Sequence, residues 1–301
     1  MDRAGTSARG FHDVDDLMFK DGLLAGKRIL VTGGGTGLGK SMAERFSDLG
    51  ADVIICGRRM DVLQATATEI AKKSGRKVAA KQLDVRDPDN VEAAFDEIFA
   101  DGPLSTVVNN AAGNFIAQSE RLSARAFDAV ANIVLHGTAY CTLAAGRRWI
   151  EAGDPGVVLS IVTTAAWTGQ PFTAPSAAAK GGVLALMRSL AVEWGPKRIR
   201  TVAIAPGYFH TDGAWDRMYP PGAIAQPLHE EIPARRLGDH SELADLASYL
   251  VSDRAGYITG ECVVIDGGRW LSGTNGFATR PLFTWDDERW DRAREEMRNA
   301  R

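Results

Sequence analysis

The amino-acid sequence predicts a single α/β domain with a doubly wound parallel sheet and helices on both faces. Two observations predict this fold class. Short apolar runs alternate with helical patterns along most of the 301 residues, and this alternation is typical of parallel sheets. Segments rich in glycine, asparagine or hydroxyl groups follow several of the apolar runs, at the edge where ligands of open α/β sheets bind.

Composition disfavours several classes of function. With 35 basic and 38 acidic residues, the net charge of -3 provides no field that favours nucleic acid or a membrane surface. The cysteines Cys56, Cys141 and Cys262 have neither paired nor metal-ligand spacing, so we expect reduced thiols, no metal site and a cytoplasmic location. No apolar run approaches the ~18 residues of a membrane span, and residues 1–25 lack the apolar centre of a signal peptide.

The strand and helix pattern divides the chain into three parts. Residues 1–26 predict a polar N-terminal extension, residues 27–275 the catalytic domain, and residues 276–301 an alternately charged helical tail. The domain contains a long proline- and glycine-rich stretch, about 207–237, after its sixth strand. A loop of this length is usually functional, so this stretch predicts a lid over a substrate.

The first strand and the first helix enclose a glycine-rich loop. The strand 27–31 leads into residues 32–39 (TGGGTGLG), and a helix and a second strand, 52–56, follow. Glycines at such a turn let a pyrophosphate approach the backbone amides at a helix N-terminus. The loop therefore predicts a Rossmann dinucleotide site, with contacts from Gly33, Gly35, Thr36, Gly37, Leu38 and Gly39.

The end of the second strand indicates which dinucleotide binds. An acidic residue there would hold the 2′-hydroxyl of the adenosine ribose, but the chain reads Cys56-Gly57-Arg58-Arg59. Guanidinium groups pair well with a phosphate. Arg58 and Arg59 therefore favour NADP(H) over NAD(H), the alternative being that both are solvated loop residues.

The later strands also end in candidate site residues. Four later strands are predicted to end at residues 83, 108, 162 and 204, and a helix from about 123 to 150 lies between the second and the third of them. The candidate site residues after these four ends are, in order, Asp84, Val85 and Arg86; Asn109, Asn110 and Ala111; Thr163; and Pro206 and Gly207. In the helix after Thr163, Ser176 and Lys180 lie four residues apart and project from one face. Taken alone, both are ordinary first-turn polar residues.

These strings together resemble the short-chain dehydrogenase/reductase family across nearly the whole chain. The glycine motif from Thr32 to Gly39, Asn109-Asn110-Ala111, Lys180, and Pro206-Gly207 with Thr211 carry the resemblance. Within the family the chain is most similar to the 2,4-dienoyl-CoA reductases. That narrower resemblance is carried by residues 58–63 (RRMDVL), 84–89 (DVRDPD), 110–115 (NAAGNF), 176–180 (SAAAK) and 213–215 (GAW).

Two of the four positions of the family's usual catalytic tetrad, Val134 and Ser176, differ in a way that bears on the reaction, and a third has threonine in place of serine. Where most members have Asn, Ser, Tyr and Lys, the matching positions read Val134, Thr163, Ser176 and Lys180. A serine hydroxyl is far too weak an acid to replace the tyrosine that protonates a carbonyl oxygen. Simple ketone reduction is therefore disfavoured, and the dienoyl-CoA reductase branch likewise has serine at this position.

The resemblance implies hydride transfer from NADPH to the far end of a conjugated dienoyl thioester, with charge accumulating on the thioester oxygen before protonation to a 3-enoyl-CoA. It implies that Asn114 donates to that oxygen, that Lys180 holds the nicotinamide ribose, and that Ser176 orders a hydroxyl or water. It also implies that Arg58, Asp84 and Arg86 lie near the cofactor adenosine and the substrate, and that Arg217 contacts the CoA. We further expect contacts to the substrate from Phe115, Ser123, Trp167 and Tyr208.

One departure from the branch concerns a second donor. Animal mitochondrial members have a tyrosine shortly after the paired threonines, where this chain reads Ala165-Ala166-Trp167. Trp167 or Tyr208 is a candidate donor to the thioester oxygen, and packing of these aromatic rings against cofactor or acyl chain is the alternative. Bound water is a further proton source.

A reductase or dehydrogenase of another carbonyl or alcohol, and an NADP-binding protein without turnover, stay open as rival functions. We also expect a homo-oligomer, with a tetramer favoured, from the small and apolar residues of the helices after Ser123 and Ser176.

Overall fold

The computed structural model describes residues 19–211, 228–275, 282 and 284–299. Within them, parallel strands form one sheet whose members are β1 (Arg28–Thr32), β2 (Asp52–Gly57), β3 (Val78–Gln82), β4 (Thr106–Asn109), β5 (Gly156–Ile161), β6 (Ile199–Pro206) and β7 (Cys262–Ile265). Their spatial order is β3-β2-β1-β4-β5-β6-β7. The order reverses between β1 and β4, and open α/β sheets bind their ligands at such a switch point.

Helices cover both faces of the sheet, as predicted. They are α1 (Gly37–Asp48), α2 (Met60–Ser74), α3 (Pro88–Ala100), α4 (Ala124–Ala131), α5 (Gly137–Ala152), α6 (Ala165–Thr168), α7 (Ala174–Trp194), α8 (His240–Val251), α9 (Arg269–Asn275) and α10 (Asp287–Asn299). Strand β6 runs two residues further than the apolar pattern indicates, to Pro206, because it pairs with β7 up to that residue.

Each face of the sheet has its own core. Phe95, Trp149 and Met187 lie on the face covered by α3, α5 and α7, whereas Met42 and Phe46 lie on the face covered by α1, α2 and α8. Strands that are buried on both faces need apolar side chains at every position. This explains why the central strands appear in the sequence as continuous apolar runs.

The helix predicted from about 123 to 150 is interrupted in the structure. A π-helical segment, Asn132–His136, joins α4 to α5. The whole helical stretch Ala124–Ala152 is long and apolar enough to cross a membrane, yet half of its most apolar window is buried inside the protein, as in the core helix of a folded domain. Helix α7 packs closely against α5 where α5 has glycine, since a β-carbon at Gly146 of α5 would lie only 2.3 Å from the Trp194 ring of α7.

The packed part of the chain begins within the predicted N-terminal extension. Leu24 is fully buried, and its amide donates to the carbonyl oxygen of Leu49 at 2.9 Å. Most of the predicted lid, residues 212–227, lies outside the described residues, as do residues 1–18. Helix α10 gives the predicted tail its helical form, with ion pairs between neighbouring turns such as Arg292 with Glu288.

Candidate active site

A cleft of about 850 Å³ opens at the carboxyl ends of β1, β2, β4 and β5. It therefore lies at the switch point of the sheet, where the fold leads one to expect a ligand. The predicted site residues that line it are Gly33, Gly35, Thr36, Gly37, Leu38, Arg58, Arg59, Asp84, Val85, Asn110, Ala111, Asn114, Ser176 and Lys180.

The glycine loop has the backbone that a phosphate-binding turn requires. Gly33 and Gly37 have φ angles of 66° and 55°, in the left-handed region that favours glycine. Gly39 does not line the cleft, but a β-carbon there would lie 2.4 Å from the carbonyl oxygen of Gly33 and 2.5 Å from the Asn110 amide. Gly39 thus permits the first turn of α1 to pack on the loop, with its N-terminus directed at the cleft.

Thr32 joins the glycine loop to the end of β4. Its Oγ1 accepts from the amides of Asn110 and Ala111, each at 3.0 Å, and donates to the carbonyl of Val108 at 3.2 Å. The Asn110 side chain donates in turn to the carbonyls of Thr32 and Gly33, at 3.0 and 3.2 Å. These bonds place the two strand ends side by side on one wall of the cleft.

At the other end of this wall, charged residues surround a second hollow. A cavity of about 330 Å³ lined by Arg58, Gln82, Asp84 and Asn90 adjoins the main cleft. Arg86 does not line either space. Its Nε and Nη2 donate to Asp84 at 2.9 and 2.5 Å, and these bonds hold the pKa of the Asp84 carboxyl below its ordinary value. Asp84 therefore stays ionised at neutral pH with Arg86 as its partner.

Ser176 and Lys180 also line the cleft, one helical turn apart in α7. The Lys180 ammonium is buried and donates to the carbonyl of Ile161 at the end of β5. Burial lowers the pKa of Lys180 to about 8, because an apolar environment disfavours the charged form. The amine is therefore protonated in most molecules at neutral pH and loses its charge just above pH 8.

Several predicted site residues do not reach the cleft wall. The Asn109 side chain is buried and donates to the Thr142 hydroxyl at 2.9 Å, Ser123 caps α4 by accepting from the Ala126 amide at 3.1 Å, and Phe115 packs near Val130. The other predicted residues that do not line the cleft are Gly39, Thr163, Pro206 and Gly207.

The two aromatic residues considered as donors each contact helix α9. The Trp167 ring stacks on Trp270, with centroids 5.0 Å apart and an interplanar angle of 24°. The Arg269 guanidinium lies 4.2 Å from the centroid of the Tyr208 ring. Tyr208 borders a separate cavity of about 110 Å³. Both rings therefore have packing contacts with α9, and Arg217 lies outside the described residues.

The sequence and structure comparisons agree with this geometry. A family profile described as Enoyl-(Acyl carrier protein) reductase matches residues 33–269. The chain belongs to the short-chain dehydrogenase/reductase family. It is 42% identical over 248 residues to a probable 2,4-dienoyl-CoA reductase [(2E)-enoyl-CoA-producing] of Bacillus subtilis, covering 82% of this chain and 97% of the relative.

Two further members of the family are informative. A Caenorhabditis elegans protein named probable 2,4-dienoyl-CoA reductase 3 [(3E)-enoyl-CoA-producing] is 40% identical over 278 residues, which cover 91% of this chain and 90% of that protein. The crystal structure of a putative 2-deoxy-d-gluconate 3-dehydrogenase from Agrobacterium tumefaciens with bound NADP has a TM-score of 0.76 and 33% identity, covering 84% of this chain and all of the other. The predicted resemblance to the dienoyl-CoA reductase branch is confirmed.

The family's tetrad positions fall in three different environments. Ser176 and Lys180 line the cleft. Thr163 lies in the turn between β5 and α6, and its Oγ1 accepts from the Ala165 amide at 3.4 Å. Val134 is buried in the π-helical segment and packs with Val130 and Ala179. In this dehydrogenase/reductase, no polar side chain takes the place of the family's asparagine at that position.

Sequence reasoning missed the apolar part of the cleft wall. Val62 and Leu63 from α2, Leu83 directly after β3 and Ile133 from the π-helical segment all line it. Their signal in the sequence is weak, because apolar residues at helical spacing are ordinary core residues. Within the described residues, no group of three or more His, Cys, Asp or Glu side chains is arranged to hold a metal ion.

Proposed function

We propose that this short-chain dehydrogenase/reductase is an NADPH-dependent reductase of unsaturated acyl-CoA thioesters, and specifically a 2,4-dienoyl-CoA reductase of fatty-acid β-oxidation. The observation that supports the proposal is that Ser176, Lys180 and a carboxamide donor, Asn114, all line the same cleft. A cleft without a tyrosine on its described wall is poorly suited to protonate a ketone oxygen. It is well suited to stabilise charge on an oxygen that does not need to be protonated.

The described residues fit a bound dinucleotide. Gly33 and Gly37 provide the turn for a pyrophosphate, Arg58 and Arg59 provide positive charge at the adenosine end, and Lys180 provides a buried ammonium at the other end. The arginines favour the 2′-phosphate of NADP(H), and the Agrobacterium tumefaciens relative described above has NADP bound. When bound, NADPH would supply the hydride for the reaction.

The chain's own residues would stabilise the negative charge that forms on the substrate and assist its protonation. As hydride adds to the far end of the diene, the π electrons shift toward the thioester carbonyl, and its oxygen becomes negative. The Asn114 amide donates to that oxygen, while the Lys180 ammonium contributes positive charge. A water ordered by Ser176 delivers a proton to carbon, and the hydroxide that this leaves is neutralised by exchange with bulk water.

The position of that proton determines the product. Protonation next to the thioester carbonyl gives a 3-enoyl-CoA, and protonation two carbons further along gives a 2-enoyl-CoA. The named relatives include both types, since the Bacillus subtilis name specifies a (2E)-enoyl product and the Caenorhabditis elegans name a (3E)-enoyl product. We propose the 3-enoyl product, because the resemblance to the dienoyl-CoA reductase branch implies it and the Caenorhabditis elegans relative is named for it.

The test is an absorbance assay with three substrate panels. We expect NADPH absorbance to fall with a 2,4-dienoyl-CoA, to fall little with NADH as reductant, and to stay constant with ketones and 3-oxoacyl thioesters. An Asn114→Ala variant is expected to turn over dienoyl-CoA ~10²-fold more slowly, since one donor to a developing oxyanion contributes about that much. The double-bond position in the product, read by NMR, tests the proposed site of protonation.

The same panels separate the rival functions. Turnover of a ketone or a 3-oxoacyl thioester, with none of any dienoyl- or 2-enoyl-CoA, would identify a carbonyl reductase or dehydrogenase that uses water or Tyr208 as the acid. Tight binding of NADPH without oxidation across all panels would identify a cofactor-binding protein. The cofactor-binding protein without turnover has the least support of these functions, because Lys180 and the glycine loop are both present.

We further propose a cytoplasmic homo-oligomer, with a tetramer favoured. The described cysteines are buried and unpaired by disulfides, which suits a reducing compartment. The exposed apolar side chains on helices α5 and α7, Ile150 and Val192, suit contacts between copies. Sedimentation measurements on the purified protein would determine the number of subunits.

A further inference from the structure

The ring of His240, the first residue of α8, joins helix α1 to the segment that leaves β6. Its Nε2 lies 2.6 Å from the carbonyl oxygen of His210, and its Nδ1 lies 2.7 Å from the Ser41 hydroxyl. A carbonyl oxygen only accepts, so Nε2 carries the hydrogen, and in the neutral ring Nδ1 accepts from Ser41. Both ring nitrogens are thus used in contacts with elements other than α8.

Each of these two contacts leads to the cleft. Ser41 lies in the second turn of α1, and its Oγ is also 3.2 Å from the carbonyl oxygen of Gly37 in the glycine loop, to which it can donate only when it does not donate to His240. His210 directly precedes Thr211, which lines the cleft. A β-carbon on Gly37 would lie 3.4 Å from Cγ2 of Thr211. The segment that leaves β6 therefore rests on the glycine loop at the point where His240 holds both.

The other contacts of this segment act further from the cleft. The Gly238 amide donates to the carbonyl of Tyr208 at 3.0 Å, and a β-carbon at Gly238 would lie 2.4 Å from the Phe209 ring. These contacts fix residues 208 and 209. The carbonyl of His210, the last one before Thr211, is the one that His240 holds.

The start of α8 does not need the His240 ring for its own stability. Glu242 reaches back to accept from the Asp239 amide at 2.8 Å, as in a capping box, and it also accepts from Arg236 at 2.6 and 2.8 Å. The helix start is therefore capped by other residues. The His240 ring is directed away from that cap, toward α1 and the β6 exit.

We propose that His240 is a positioning residue for dinucleotide binding, which holds Thr211 and the glycine loop in register before the cofactor arrives. The inference rests on the proposed function to the extent that the cleft must bind a nicotinamide dinucleotide. When two elements of a binding site are already held in place, less conformational entropy is lost on ligand binding, so the affinity is higher. Loss of the ring should therefore weaken cofactor binding more than it changes the chemical step.

The experiment measures the Kd of NADPH by fluorescence titration, together with KM and kcat in the proposed assay. His240→Ala is expected to raise the Kd and the KM for NADPH about tenfold, the effect of losing one or two hydrogen bonds, with kcat within about twofold. Ser41→Ala, which leaves α8 untouched, should raise the Kd about threefold. The double variant should match His240→Ala, because both changes act through the same ring.

Asp245→Ala is the matched control. The Arg45 Nε donates to Asp245 at 2.6 Å, so this variant breaks another contact between the same two helices, α1 and α8. It should lower the melting temperature while leaving the Kd of NADPH within about twofold of wild type. An equal rise of the Kd in this control would overturn the proposal in favour of general helix packing.

Two other outcomes have separate meanings. A Kd within twofold of wild type in both His240→Ala and Ser41→Ala would refute the positioning role, even if the protein consumes NADPH with dienoyl-CoA. A wild-type protein that binds neither NADPH nor NADH would refute the proposed function itself, and the positioning role with it. Ser41→Ala keeps the question answerable should His240→Ala fail to fold.

Discussion

The wall of the cleft that we propose binds the cofactor (the cofactor wall) and the wall that we propose binds the substrate (the substrate wall) are built in different ways. The cofactor wall is made of consecutive backbone, Gly33 to Leu38, fixed to Asn110 and Ala111 through Thr32. The substrate wall is made of single side chains such as Asn114 and Ser176, which come from separate elements. One wall depends on local conformation, and the other depends on how distant parts of the chain pack together.

This difference has a consequence for how each wall tolerates change. A backbone wall fails when an added atom moves the chain, because neighbouring hydrogen bonds move with it. A side-chain wall loses one contact at a time. The two walls should therefore respond differently to substitution, with Lys180 as the residue that serves both.

The largest effect is expected at Lys180, which lies where the two walls meet. Lys180→Met keeps the length of the side chain and removes its charge, so kcat/KM should fall ~10²- to 10³-fold, as for the loss of a donor to a charged transition state. In the wild-type protein the pKa of this amine is about 8. Because the charged form is the active one and is lost as pH rises, kcat/KM should decline above pH 8.

Lys180→Arg is the control for this pH profile. A guanidinium group stays protonated throughout the accessible range, so the decline above pH 8 should disappear even if the rate is lower. Lys180→Met should also show no such decline. A decline that persists with the same midpoint in both variants would assign the titration to another group and remove Lys180 from its position between the walls.

The cofactor wall was the more predictable half of the site, for a physical reason. Its residues are adjacent in sequence, and a strand, a glycine loop and a helix in succession allow few backbone paths, so the loop residues Gly33, Gly35, Thr36, Gly37 and Leu38 and the pair Arg58 and Arg59 all line the cleft. The fold class and the helix around Lys180 followed from hydrophobic periodicity in the same way.

The remaining site depends on packing that the sequence does not display. Asn109 matches the strand-end pattern as well as Asn110 does, yet its side chain turns inward to Thr142. Ile133 and Val62 look like core residues and line the cleft. The contact of Trp167 with Trp270 joins residues about a hundred positions apart, and no local pattern connects them.

A smaller effect, confined to the cofactor wall, is expected from Gly39→Ala. The new β-carbon would meet the Gly33 carbonyl at 2.4 Å, and backbone cannot move aside as a side chain can. We expect the free energy of unfolding to fall by about 1–3 kcal/mol and the Kd of NADPH to rise about tenfold or more. Chemical denaturation and fluorescence titration measure the two quantities.

Gly35→Ala tests whether that sensitivity is local to the backbone contact. A β-carbon at Gly35 meets only the side chains of Val62 and Leu63, each at 3.3 Å, and these can shift by a few tenths of an ångström. Its unfolding free energy should stay within about 0.5 kcal/mol of wild type. If Gly35→Ala were as damaging as Gly39→Ala, the cofactor wall would not depend on specific backbone contacts as argued above.

The smallest effect is expected from Trp270→Ala, next to Trp167, which is a predicted substrate contact but not one of the residues that line the cleft. The ring stacks on Trp167, and an aromatic pair of this kind contributes about 0.5–1.5 kcal/mol, so the KM for a long-chain dienoyl-CoA should rise about two- to tenfold. The Kd of NADPH should not change, because neither ring lies on the cofactor wall. Trp290→Ala is the matched control, since it breaks another tryptophan pair, with Trp285 and also 5.0 Å between centroids, in the charged tail. An increase in the Kd of NADPH with Trp270→Ala, or an equal rise in the KM with Trp290→Ala, would show that the two walls are not independent, because a side-chain contact on one side would then be shaping the backbone of the other.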